Sequence, residues 1–523
     1  MNETHFTITI FIVLLLIASG VAMVTRWIAV PYTLALVLVG LLISPLRFLP
    51  VVHISPKLIL LIFLPALLFE AAWNLRLEHL RENLAPILLL AVPGVLVSVG
   101  IVGTVLHYGI GWPWATALLF GAIISATDPV SVLAIFKKLG LPRRLNTIVE
   151  GESLINDGTA VVVFKIILAL AAGATLETST GGLLMDSLRE FIKVVLGGLA
   201  VGAIVGLTAS ALTARFDDRL LEITLTTIAA YGSFLGAEGL HVSPVIAVLT
   251  AGLIIGNYGR RTGMSPTTQV AVNSFWEYAA FVVNSLVFLL VGLETQLGAM
   301  FAYSWTIAWG VLALLLSRVV AVYGLMLLVN RITKPVPFRW QHVLFWGGLR
   351  GSLSIALALS LPLSLPYRTE MTMLVFGAVV FSLLAQGLTV APLLKWLRLT
   401  KREPESLEYE VLQGRLLAET AALAELDSLR QRGLIAARVC DALKAELTAT
   451  QQTLSERLTS LGGAQRAVEQ QQEARIRHHL ISVKKTRLTE LLREGILSEQ
   501  SHNEAGRLLD QELTETTKSP EGQ

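Results

Sequence analysis

The chain has 523 residues, 54% of them hydrophobic and only 15% charged, with a formal net charge of +3. A soluble globular chain is nearer a quarter charged; the single cysteine, Cys440, excludes a disulfide scaffold; and so small a net charge leaves no electrostatic footprint for nucleic acid. The average hides a split, because residues 401–523 hold 37 charged side chains in 123 positions and the first 400 residues hold only 42. Two solvents are implied: lipid around residues 1–400 and water around residues 401–523.

At about 20 apolar residues per span, thirteen transmembrane helices are expected. They lie near 6–24, 28–49, 57–73, 84–107, 112–136, 147–172, 188–214, 222–240, 242–257, 271–297, 304–330, 341–362 and 369–396. The apolar runs do not alternate, which excludes an outer-membrane barrel. The first run follows MNETH, with no positively charged start, so it reads as a membrane helix rather than a signal peptide. Lys and Arg sort by side. With the tail cytoplasmic, sixteen from Arg26 to Arg398 fall in loops on the tail side. Only Arg47, Lys57, Arg189, Lys193 and Arg368 fall opposite. This positive-inside bias predicts a multi-pass inner (plasma) membrane protein, N-terminus outside and tail inside.

A charge at mid-bilayer costs at least about 2.5–3.5 kcal/mol on insertion scales. Glu70, Asp128, Glu152, Asp157, Glu277, Arg318 and Arg350 all fall in expected spans, as do Lys165 and Glu238. Helix-locking ion pairs are the plain structural alternative for each, weakest for Asp128 and Asp157. The fifth span reads GAIISATDPVSVLAIF. Pro129 lacks an N–H and disfavours helix at Asp128, which frees carbonyls near Thr127. Such backbone is tolerated at membrane depth only where protein buries it or it lines a water-filled cavity. The sixth span reads EGESLINDGTAVVVF, where Ser153 and Asp157 share one face and Glu152 and Asn156 form the neighbouring stripe. Carbonyl, hydroxyl and carboxylate are hard oxygen ligands, so Asp157, Ser153 and Thr127 are candidate monovalent-cation ligands, with Asp128 and Asn156 beside them. Lys165, two turns beyond Asp157, is expected to snorkel outward. The twelfth span reads FWGGLRGSLSIALALSLP, and Gly347, Gly348 and Gly351 around Arg350 mark an interruption. Arg350 needs an anion, for which Glu152 is the candidate. If spans 1–6 and 8–13 are inverted repeats, the two interruptions occupy matched positions, the sequence sign of a secondary transporter's binding site.

The strings LPALLFEAAW (64–73), ATDPVSV (126–132), EGESLINDGTA (150–160) and GGLRGSLSIALAL (347–359) resemble the sodium/hydrogen exchanger family, in its bacterial electroneutral branch. The resemblance covers about residues 6–400. It implies an all-α homodimer of thirteen-helix protomers with crossed, unwound helices five and twelve. It implies that Asp157 carries the cation and the proton, that Thr127, Asp128 and Ser153 are ion-site residues, and that Asn156 is the neutral neighbour where electrogenic relatives place an aspartate. It also implies a Glu152–Arg350 stabilising pair. Glu70, Glu277 and Arg318, as charges within expected spans, are candidate supporting residues. The expected activity is exchange of Na⁺, or else Li⁺ or K⁺, for H⁺, with no enzyme chemistry and no cofactor beyond the transported ions. The competing readings are a cation channel, which uses similar groups, and a K⁺-selective antiporter. An ATP-driven pump is disfavoured, since no GxxxxGK[ST] string occurs.

The tail, 401–523, is expected to be helical, soluble and either dimerising or regulatory. Leu412, Leu416, Leu423, Leu426 and Leu429 recur at helical spacing, and Gly462 and Gly463 are expected to break this stretch from later helices to about Leu492 and from Leu497 to Leu513. His478 and His479 titrate near neutral pH, and the terminal TTKSPEGQ is expected to be disordered.

Overall fold

A computed structural model describes residues 3–25, 27, 31–44, 59–171, 180–215, 218–260, 263–294, 297–399, 404–432 and 435–460, with scattered positions between 480 and 508. Arg26, Arg47, Lys57, Arg261, Gly462, Gly463, His478 and His479 lie outside the described residues, as do the terminal TTKSPEGQ and most of the two later tail helices. The chain divides into two compact units, Met1–Thr400 and Lys401–Gln523.

The membrane unit is all helical among the described residues. It opens with α1 (Glu3–Thr25), α2 (Tyr32–Ile43), α3 (Leu64–Asn74), α4 (Leu77–Glu82), α5 (Leu84–Ala91) and α6 (Pro93–Ile110). The first broken span follows as α7 (Trp114–Ser125) and α8 (Val130–Leu139). Then come α9 (Arg143–Ala171), α10 (Thr180–Thr213), α11 (Arg219–Gly239), α12 (Pro244–Ile254), α13 (Pro266–Glu294), α14 (Leu297–Ala302), α15 (Ser304–Val319) and α16 (Leu325–Ile332). The second broken span is α17 (Phe338–Trp346) and α18 (Ser352–Leu359), before α19 (Arg368–Phe381) and α20 (Gly387–Trp396). Among the described residues, eight helices are long and apolar enough to cross a membrane, and four shorter helices are also apolar. This is a membrane protein.

The breaks have local causes. Pro129 precedes α8, and residues 126–129 leave the helix. Gly347, Gly348 and Gly351 fall in the non-helical stretch 347–351. A further break, at Val92, divides the expected 84–107 span, because Pro93 supplies no N–H to continue α5. Between the expected 222–240 and 242–257 spans, α11 ends at Gly239, His241 takes a positive φ of 55°, and Ser243 Oγ caps α12 by accepting from the Ile246 N–H (3.3 Å). One buried hydrophobic cluster runs through the unit, with Phe69, Trp73, Phe120, Phe136 and Trp276 among its largest side chains.

In the tail, α21 (Pro404–Gln431) packs on α22 (Ala437–Ser460). Tyr409, Leu412, Leu454 and Leu458 form its small core with Leu416 against them; of the expected leucines, Leu412 and Leu416 pack there and Leu426 is also buried. Cys440 is free and buried.

Candidate functional site

Breaking a helix in lipid creates a polar debt. The last carbonyls of the first half and the first N–H groups of the second lose their partners. Here both carbonyl ends are met by arginine. Arg350 Nη1 donates to the Ser125 and Ala126 carbonyls at the end of α7, at 2.8 and 3.0 Å. Arg318, from α15, donates through Nη2 to the Leu344 carbonyl near the end of α17 (2.9 Å). A cation at a helix C-terminus is the favourable sign of charge. The first of the two N-terminal ends faces a carboxylate: Asp128 Oδ1 accepts from the Val130 N–H at the start of α8 (2.9 Å).

The two breaks are also joined to each other. The Asp128 N–H donates to the Leu349 carbonyl (2.8 Å). Gly351 lies so close that a Cβ there would run into the Asp128 carboxylate, and a Cβ at Gly348 would come within 2.8 Å of Arg318 Nε. Only glycine permits this crossing. The Arg350 N–H donates to Ser382 Oγ (3.0 Å), and Ser382 opens a π-helical turn, Ser382–Gln386, between α19 and α20. Such turns recur at functional sites.

Helix α9 runs alongside. Ser153 Oγ donates to the Thr127 carbonyl. Asn156 Nδ2 donates to Thr127 Oγ1 (2.7 Å), and the Thr127 N–H donates to Asn156 Oδ1 (3.4 Å). Ser153 and Asn156 thus pin the unwound segment to α9. Asp157, one position on, is different: its Oδ1 is buried and has no hydrogen-bond partner among the described residues. Buried polar atoms are normally paired, so a lone carboxylate oxygen at membrane depth asks for an external partner.

A cavity of about 690 Å³ supplies the space for one. Asp157, Asp128, Thr127, Ser153, Pro129 and Gly351 line its inner end, and Glu70 and Glu277 lie on its wall. Asn74 and Lys137, at the ends of α3 and α8, line it on the side of the Arg76, Arg81 and Arg144 loops. Hard oxygen groups around a cavity roomy enough for water suit an alkali cation.

The expected Glu152–Arg350 pair is not formed. Glu152, 2% exposed, is held instead by Arg318, with Nη1–Oε1 at 2.5 Å and Nη2–Oε2 at 3.0 Å. Arg350, also 2% exposed, is occupied by the carbonyls that the Pro129 break releases. Both arginines needed acceptors, and the choice depends on helix rotation, which spacing along the chain does not reveal. Lys165 is exposed, two turns beyond Asp157.

Several lining residues have no counterpart among the expected ones. Glu150 stands on the cavity wall with Ser153 and Asp157. Its signal was present, since positions 150, 153, 154 and 157 form one helical stripe. Asn273 and Asn284 extend the Glu277 stripe of α13 in the same way, and Asn74 lies one turn beyond Glu70. Lys137, a loop charge by topology, faces the cavity.

Residues 10–396 match the transmembrane sodium/hydrogen exchanger family. The chain belongs to the sodium/hydrogen exchanger family. As a member, it is 40% identical over 502 residues to the Na(+)/H(+) antiporter ApNhaP of Aphanothece halophytica, which spans 93% of this chain and 94% of that protein. It is 42% identical to the low-affinity Na(+)/H(+) antiporter NhaS1 of Synechocystis sp., over 80% of each. Its fold is similar to that of the sodium proton antiporter MjNhaP1 from Methanocaldococcus jannaschii, with a TM-score of 0.62 at 21% identity over 77% of this chain and 100% of the other.

Proposed function

We propose that this chain is a secondary active antiporter that exchanges Na⁺ for H⁺ across the plasma membrane, with Asp157 binding one ion or the other. The observation that carries the reading is the partnerless Asp157 oxygen at the inner end of the cavity, where the two broken helices cross. Relatives named as Na(+)/H(+) antiporters support the choice of ions. A carboxylate that holds either a proton or a dehydrated cation couples two opposed fluxes through one site. Rocking of one helix bundle against the other then exposes the site to each side in turn.

Exchange is one for one and electroneutral in this proposal. The support is a charge count at the crossing. Asp128, Glu152 and Asp157 are negative, and Arg318 and Arg350 are positive. Glu152 pairs with Arg318, Arg350 neutralises a carbonyl end, and Asp128 caps a helix start. One negative charge is left for one mobile positive charge. Asn156 is committed to Thr127 and carries no second proton. The working unit is a homodimer in the lipid bilayer, N-terminus outside and tail cytoplasmic. The cavity then opens to the cytoplasm, on the side of the positive loops. Residues 1–400 form the exchange domain and 401–523 a cytoplasmic regulatory or dimerising domain.

The test is pH-gradient dissipation in proteoliposomes with Na⁺, Li⁺ and K⁺ in turn. The wild type is expected to move protons against cation without building a membrane potential. Asp157→Asn is expected to lose exchange entirely while its thermal unfolding transition stays in place. Exchange by Asp157→Asn removes that residue from the mechanism, and a potential generated by the wild type removes electroneutrality.

A further inference from the structure

Helix α13 turns one face toward the ion path. Asn273, Glu277 and Asn284 on that face line the open cavity. The same stripe continues with Val287, Val291 and Glu294, three to four residues apart. These three, with Leu290, line a second and much smaller space, about 20 Å³, whose other wall is Ser352, Ile355 and Leu359 of α18. That is room for about one water molecule. Ser352 belongs to both spaces: it lines the large cavity beside Asp128 and the small one beside Glu294. An apolar collar lines the small space, with Val287, Leu290, Val291 and Ile355 all less than 9% exposed.

Glu294 is out of place for a structural residue. It is only partly exposed, and no hydrogen bond or ion pair holds it among the described residues. It closes the described range of α13, Pro266–Glu294. An acid in a membrane helix that holds no partner is a functional candidate by default. The stripe on α13 therefore reads, in order, as an acid on the open side (Glu277), an apolar plug, and an acid on the closed side (Glu294).

We propose that Glu294 is the cation-receiving acid of the opposite half of the transport path. In the alternate state the collar between α13 and α18 parts, and a monovalent cation passes from Glu294 along Ser352 to Asp128 and Asp157. Glu294 does not line the large cavity in the state seen here. This inference rests on the antiport reading.

The test compares the two faces of the membrane. In intact cells and in everted vesicles, Glu294→Gln is expected to raise the apparent KM for Na⁺ several-fold when Na⁺ is presented on the Glu294 face. The KM on the cavity face should be unchanged, and Glu294→Asp should restore most of the difference. An equal effect on both faces, or none, overturns the proposal. A second readout is independent of transport. In a Cys440→Ser background, Val291→Cys is expected to react with a membrane-impermeant thiol reagent from the Glu294 face. Reaction from the cavity face only, or from neither face, overturns the path. If the wild type exchanges no ions, the antiport reading fails, and the labelling alone decides whether the path exists.

Discussion

Arg318 and Glu152 in the membrane unit meet with 10% and 3% of their side chains exposed, whereas Lys444 and Asp427 in the tail meet with 46% and 44% exposed. Each pair joins one cation to one carboxylate, and the solvent differs. In the tail, water screens the pair and the side chains give up entropy to form it, so it contributes little. At the crossing, each charge has been taken out of water at a cost of several kcal/mol and must be answered by a partner. The arginines are answered by Glu152 and by carbonyls of broken helices. At the crossing, burial leaves one carboxylate oxygen, Asp157 Oδ1, with no partner among the described residues.

Four variants break or sharpen this contrast. The largest effect on stability is expected from splitting the buried pair: Glu152→Gln should cost about 3–5 kcal/mol, because Arg318 is left unmatched. The doubly apolar variant Glu152→Met with Arg318→Leu should cost less than the sum of the single changes, as a double-mutant cycle in thermal unfolding would show. Additive losses would mean that the pair is not coupled. The next effect falls on transport. Gly351→Ala places a Cβ against the Asp128 carboxylate and should abolish most exchange in proteoliposomes. Wild-type exchange in that variant would mean that the two breaks do not need to touch. The smallest effect belongs to the tail: Lys444→Ala should cost no more than about 1 kcal/mol and leave the exchange rate of the full chain unchanged. A larger loss would show that tail charges are not merely solvated.

Much of the site could be read from residue order. Proline beside an acid and three glycines around an arginine were sufficient signs of broken helices, because each removes a specific backbone possibility. Ser153, Asn156 and Asp157 were legible because helical spacing puts them on adjoining stripes. The partner of Glu152 was not. Arg318 and Arg350 both lie in apolar spans, and only the packing of α15 against the end of α17 decides between them. Glu150 could have been found from its stripe with Ser153 and Asp157. Glu294 was not singled out: it falls three residues from the end of the expected 271–297 span, where an acid reads as an interfacial residue until the opposing wall on α18 is known.

The central claim is that one carboxylate holds either a proton or a cation. It is tested most directly by measuring the Na⁺ dependence of exchange at a series of pH values in proteoliposomes. Competition predicts that the apparent KM for Na⁺ rises in proportion to proton concentration on the acid side while the maximal rate stays constant. A maximal rate that falls with acidity at unchanged KM would show that the proton and Na⁺ occupy different sites, and would contradict the account.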